Sequence, residues 1–152
     1  MSLYLEFDRI VRALARANVR YAVAGGFAVG LHGYVRATQD MDFLVHPDDV
    51  PATTATLRRL RYRANPVTRE FARAGLTLQR FFKGMPKAED VMIVDVLVPT
   101  STRMKNVLNR VVRVPFSTIS LPVVNARDLV VMKRLRGSAR DKADIEFLRK
   151  RR

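Results

Sequence analysis

The chain contains no cysteine and only two histidines in 152 residues. Disulfide frameworks, zinc fingers and thiol catalysis are thereby excluded. Long apolar runs are missing as well: the longest charge-free stretch, Tyr21 to Val35, has 15 residues and four glycines, whereas a membrane-spanning helix needs about 20 predominantly apolar residues. The first twenty residues hold Glu6 and Asp8 among four arginines, unlike the basic start, apolar run and small-residue cleavage site of a secretory signal. A cytoplasmic protein without membrane contact is the expectation. Acidic side chains are scarce too, with 14 Asp and Glu against 28 Lys and Arg and a net charge of +14. The imbalance is uneven, since residues 1–99 carry 14 basic and 10 acidic side chains while residues 100–152 carry 14 and 4. Such a field attracts polyanions and is the footprint of an RNA or DNA binder; an arginine-rich solubilising surface is the plainer explanation. With 48% apolar residues and neither repeat nor linker, the sequence suits one domain over residues 1–152, whose core needs no disulfide or metal.

Hydrophobic spacing places the elements. Leu3, Phe7, Ile10, Leu14 and Ala17 recur with helical period and predict a helix over 3–17. Tyr21 to Ala24 reads as a strand, Gly25-Gly26 as a turn, and Phe27 to Leu31 as a helix. Met41 to Val45 predicts a strand entered through Asp40, and a helix follows from Asp48 or Asp49. Arg58, Arg59, Arg61 and Arg63 cluster at that helix's end, where cations complement the dipole or line a polyanion groove. Leu76 to Phe82 and Val91 to Val98 read as strands, the second apolar enough for burial on both faces. Phe81 and Phe82 suit the core, with one of them available for base stacking. Val111 to Val114 and Ile119 to Val124 read as edge strands broken by Pro115 and Pro122. Two closing helices follow, Ala126 to about Arg136, capped by Asn125 and ended by Gly137, and Ala139 to Lys150.

Three features carry chemistry. Gly25-Gly26 before a helix leaves backbone N–H groups open to an anion, or is simply a tight turn. Asp40 and Asp42, two apart on a strand, project from one face. Close carboxylates repel unless a cation separates them, and oxygen-only ligands suit Mg²⁺ or Mn²⁺; two solvated aspartates are the alternative. Asp95, between Val94 and Val96, costs several kcal/mol (about) unless paired or metal-bound. If its strand lies beside that of Asp40 and Asp42, three carboxylates converge.

Read together, Gly25-Gly26 followed by Asp40-Met41-Asp42 resembles the signature of the nucleotidyltransferase superfamily related to DNA polymerase beta. The form His32-Gly33, Arg36, Thr38, Asp40 is similar to the AbiEii type of toxin nucleotidyltransferases and their small relatives. Asp128-Leu129 to Met132-Lys133, then Arg140-Asp141-Lys142-Ala143-Asp144-Ile145, resembles the closing helices of the same group. The resemblance spans residues 20–148 and implies an α+β nucleotidyltransferase fold, a mixed sheet flanked by helices. It implies nucleotidyl transfer with two Mg²⁺ or Mn²⁺ ions on Asp40, Asp42 and Asp95, Asp95 also activating the attacking hydroxyl. Gly25 and Gly26 are implied to hold the nucleoside triphosphate, with Arg36, Thr38 and Lys133 as further nucleotide-binding candidates.

His32 reads as a structural helix residue, with a catalytic role as the alternative, and Asp141 and Asp144 as partners of Lys133, Arg134 or Arg140 that lock the last helices together, with nucleotide contact as the alternative. Arg149, Lys150, Arg151 and Arg152 are candidates for tracking a nucleic-acid backbone, or a solvated tail. The expected activity is transfer of NMP from an NTP to an RNA acceptor such as tRNA, with a place in a toxin–antitoxin pair and an antitoxin protein as partner. Transfer to a protein or to a small molecule such as an antibiotic is the alternative. A non-catalytic module binding nucleic acid or a partner is a third reading, opposed by the cost of an unpaired Asp95.

Overall fold

A computed structural model describes residues 2–34, 37–84, 91–136 and 139–151. The chain opens with α1 (Leu3–Arg16), where the Ser2 hydroxyl accepts the Leu5 N–H at 3.4 Å. Phe7, Ile10, Val11 and Leu14 form its buried stripe, and Asn18, at φ 56°, turns the chain out of the helix. The elements that follow are β1 (Tyr21–Ala24), α2 (Gly25–Leu31), β2 (Asp40–Val45) and α3 (Val50–Arg59). Then come β3 (Arg63–Ala64), β4 (Arg69–Phe71), β5 (Leu76–Lys83) and β6 (Met92–Pro99). The chain continues through α4 (Thr102–Lys105), β7 (Val112–Phe116), β8 (Ile119–Val123), α5 (Ala126–Arg136) and α6 (Ala139–Arg151).

The strands form one mixed sheet in the order β3-β5-β6-β2-β1-β8-β7, with β4 also pairing β5. The pairs β2–β6 and β1–β8 are parallel and the others antiparallel. Central β1 is buried along its whole length, as its unbroken apolar run requires. Phe7 of α1 stacks on Phe43 of β2 at 5.9 Å between ring centroids and on Phe27 of α2 at 4.3 Å. Thus α1 covers the sheet face that carries Phe43, and alternation sends Asp40 and Asp42 to the other face. No helix among the described residues is long and apolar enough to cross a membrane.

Three local expectations change. First, α3 stops at Arg59, because Arg61 takes φ 75° and reverses the chain. Arg63 therefore lies on a strand instead of at a helix end. Second, β8 is interior, between β1 and β7, so of these two strands β7 alone lies at an edge. Pro122 is accommodated there because β1 and β8 share a single register pair, Val23 with Val123. Third, β3 and β4, two and three residues long, extend the sheet beyond β5, where the sequence shows no alternating run.

Candidate active site

Strand pairing assembles the site. The parallel register of β2 and β6 sets Asp42 directly beside Asp95 and Asp40 beside Ile93. All three aspartates therefore share one face of the sheet. At the end of β1, Ala24 pairs with Asp42, and the chain turns into α2 through Gly25 at φ 60°. A Cβ at Gly25 would overlap the Asp42 carboxylate. Glycine is needed here for its left-handed backbone and so that the main chain can lie against Asp42. Gly26 is buried at the start of α2.

Asp95 is buried, 2% exposed, and its partner is Arg80, the residue opposite it on antiparallel β5. Arg80 Nε donates to Asp95 Oδ1 at 2.8 Å and Nη2 to Oδ2 at 2.9 Å, a bidentate ion pair. The same Nη2 lies 3.5 Å from Asp40 Oδ2. The hydrogen bonds to Asp95, with the charges of Asp95, Asp40 and Asp42, hold the Arg80 guanidinium above its already high ordinary pKa against the desolvation that lowers it. Arg80 thus supplies positive charge to the carboxylate cluster. This corrects the argument that Asp95 lacks a partner without metal: its cost of burial is offset by a protein cation. Arg80 escaped sequence reading because its facing of Asp95 depends on the β5–β6 register.

The oxygen donors at Asp40 and Asp42 fit a divalent cation that also takes substrate phosphates, since Mg²⁺ is commonly bound through one or two carboxylates. Both oxygens of Asp95 are occupied by Arg80. Consistently, among the described residues no group of three His, Asp or Glu side chains is arranged to hold a metal. Each Asp95 oxygen keeps a further lone pair beyond its Arg80 hydrogen bond, so Asp95 can join Asp40 and Asp42 around a cation with Arg80 still in place.

The other candidates fall elsewhere. Thr38 Oγ1 donates to the Asp40 carbonyl at 3.3 Å, bracing the entry to β2. Lys133 sits in a second, buried cluster, its Nζ 3.3 Å from Asp141 Oδ1 and 3.0 Å from Asp144 Oδ2. That amine joins α5 to α6. His32 Nε2 lies 2.9 Å from the Val124 carbonyl oxygen, tying the end of α2 to the strand end of β8. Arg149 and Lys150 are exposed on α6, with Lys150 Nζ 3.9 Å from Glu146. Arg36, Gly137 and Arg152 lie outside the described residues, as do the side chains of Arg140 and Arg151.

A mixed sheet flanked by helices, with a glycine turn set against an Asp-x-Asp strand and a third aspartate in register, defines the nucleotidyltransferase fold. Comparison with known proteins agrees. The chain belongs to the family described as nucleotidyltransferases of unknown function (DUF6036), matched over residues 4–148. No curated protein matches it in sequence. Among solved structures, it resembles the lincosamide antibiotic adenylyltransferase LnuA in its lincomycin-bound form. The TM-score is 0.65 at 13% identity, covering 100% of this chain and 98% of that one. It also resembles the antibiotic-resistance factor ANT(2'')-Ia, at TM-score 0.61 and 10% identity over 95% of this chain and 81% of that one. A third, JHP933 from Helicobacter pylori, gives 0.58 at 14% identity over 99% and 67%.

Proposed function

We infer that the chain transfers NMP from an NTP to the hydroxyl of an RNA acceptor at the face formed by Asp40, Asp42 and Asp95. The observation that carries this reading is the register of Asp42 with Asp95 across parallel β2 and β6, beside the Gly25 turn. Asp40, Asp42 and Asp95 would hold Mg²⁺ or Mn²⁺, which would supply Lewis-acid neutralisation of the triphosphate. Gly25 and Gly26 let the triphosphate approach the main chain, and Thr38 braces the strand that presents Asp40. Asp95 receives the proton of the attacking hydroxyl. That oxygen forms a bond to the α-phosphorus as the bond to the β-phosphate breaks, and pyrophosphate leaves. Catalysis here rests on positioning and on charge neutralisation.

RNA as acceptor is supported by the net charge of +14 and by the exposed Arg149 and Lys150, which suit a polyanion. A second reading, transfer to a small molecule, is favoured by the shared fold with two antibiotic-resistance proteins. A toxin role paired with an antitoxin is compatible with either. The test is incubation with Mg²⁺, each α-phosphate-labelled NTP in turn and total RNA, run on a denaturing gel beside Asp40→Asn/Asp42→Asn. Label in an RNA band with wild type alone supports the reading and identifies the nucleotide. No label in RNA rejects RNA as the acceptor, and label on protein or on an antibiotic added in its place supports the second reading.

A further inference from the structure

Beyond Asp95 the carboxylate face changes character. Strand alternation gives Leu78, Arg80 and Phe82 of β5 the same face as Asp95, and antiparallel pairing carries that face outward. Arg63 of β3 lies opposite Phe82, while Arg69 and Phe71 of β4 lie opposite Leu78 and Leu76. Two arginine–phenylalanine pairs result. The Arg63 guanidinium carbon is 5.5 Å from the Phe82 ring centroid, and that of Arg69 is 5.4 Å from the Phe71 ring. Their exposure sets them apart from the core: Phe81 is 1% exposed and Phe71 38%, Phe82 is half-buried, and Arg63 and Arg69 are exposed. Glu70, the acidic residue of β4, takes the opposite face, with Thr77.

We propose that this β3–β4–β5 face is the acceptor-docking surface and holds the unpaired end of an RNA strand, its terminal hydroxyl led to Asp95. The proposal rests on the transferase reading for what happens at Asp95, but not for binding. The exposed Arg63 and Arg69 complement phosphates, while Arg80 stays engaged by Asp95. Two accessible rings, six residues apart along β5 and so roughly 20 Å from one another, offer stacking surfaces to bases several nucleotides apart, reinforced by the guanidinium planes. A flat sheet face suits splayed bases, whereas the bases of a duplex are stacked inside it and out of reach. Neighbouring strands lie only about 4.8 Å apart, so β5 is one strand from Asp95 and two from Asp40 and Asp42. A cationic small molecule would meet like charge on this surface.

The test measures fluorescence anisotropy with a short unpaired RNA and the same sequence closed into a hairpin duplex, at fixed salt. Wild type and Asp42→Asn are compared with Phe82→Ala/Phe71→Ala, with Arg63→Ala/Arg69→Ala, and with a charge-matched control, Arg16→Ala/Lys105→Ala. The expected result is tighter binding of the unpaired RNA by wild type and by Asp42→Asn alike. Each face variant should raise its Kd at least about tenfold and abolish the preference over duplex, while the control moves Kd by less than about threefold. The arginine variant replaces exposed side chains only, so it keeps the test valid should the phenylalanine variant unfold. A Kd left unchanged in the face variants, a Kd that rises equally in the face variants and the control, or a face shown to be buried in a dimer by loss of self-association in the variants, overturns the proposal. Wild type that binds through this face but transfers no nucleotide leaves the surface standing and removes the transferase reading.

Discussion

Arg80 sets the charge balance of the site at the scale of single residues. Its side chain is 37% exposed while that of Asp95 is 3% exposed, so removing it strands the buried partner. Deleting one member of a fully buried pair costs about 3–5 kcal/mol, and partial exposure of Arg80 reduces this to about 2 kcal/mol. Arg80→Met should therefore melt lower than wild type in chelator, with part of the loss recovered by Mg²⁺. Identical melting in chelator and in Mg²⁺ would mean that the carboxylates do not take up a cation in its place. Gly25→Ala probes the neighbouring contact. A non-glycine side chain in the left-handed region costs about 1–2 kcal/mol, and here it also displaces the Asp42 carboxylate. Transfer should fall far more than this small loss of stability explains, as measured by rate beside thermal unfolding. Of these residues, Asp40 and Asp42 were legible because a period of two is intrinsic to a strand. Arg80 was not, since its register is fixed by the pairing of β5 with β6.

Element by element, the closing helices depend on a buried ionic cluster. Lys133 Nζ bridges Asp141 and Asp144, and its side chain is 5% exposed. Lys133→Met should lower unfolding free energy by about 3–5 kcal/mol and leave the NTP KM unchanged at temperatures where the variant is folded. A raised KM at unaltered stability would return Lys133 to the nucleotide. Long periodic segments such as α1, and the apolar strands β5 and β6, could be read directly, because burial of one face or two imprints a period. Strands β3 and β4 could not: two or three residues carry no period, and they exist because β5 offers them its edge. The arginine run 58–63 reads as one helical patch, yet the turn at Arg61 sends Arg63 to the sheet.

For the molecule as a whole, charge governs both stability and association. Asp49 is held at a pKa of about 2, first by the Arg20 side-chain hydrogen bond, opposed by desolvation and aided by the Arg20 backbone and charge. Glu6 is also lowered: desolvation raises it, but hydrogen bonds from Tyr62 and Lys83 and nearby positive charge outweigh that. Groups with depressed folded-state values contribute stability that is whole above the ordinary carboxylate range and lost on acidification. Denaturant midpoints should hold down to about pH 5 and then decline toward about 2, and Asp49→Asn should flatten that decline. A midpoint insensitive to acid would show these pairs to be inert.

Asp42 and its neighbours are proposed to form a metal-dependent transfer centre. The most direct measurement is the initial rate of pyrophosphate release together with incorporation of label from the α-phosphate, in Mg²⁺ and in chelator, for wild type and Asp42→Asn. Wild type should show equimolar, Mg²⁺-dependent release and incorporation, and Asp42→Asn a loss of at least ~10²-fold with unchanged thermal unfolding. Turnover by Asp42→Asn at the wild-type rate would contradict this assignment.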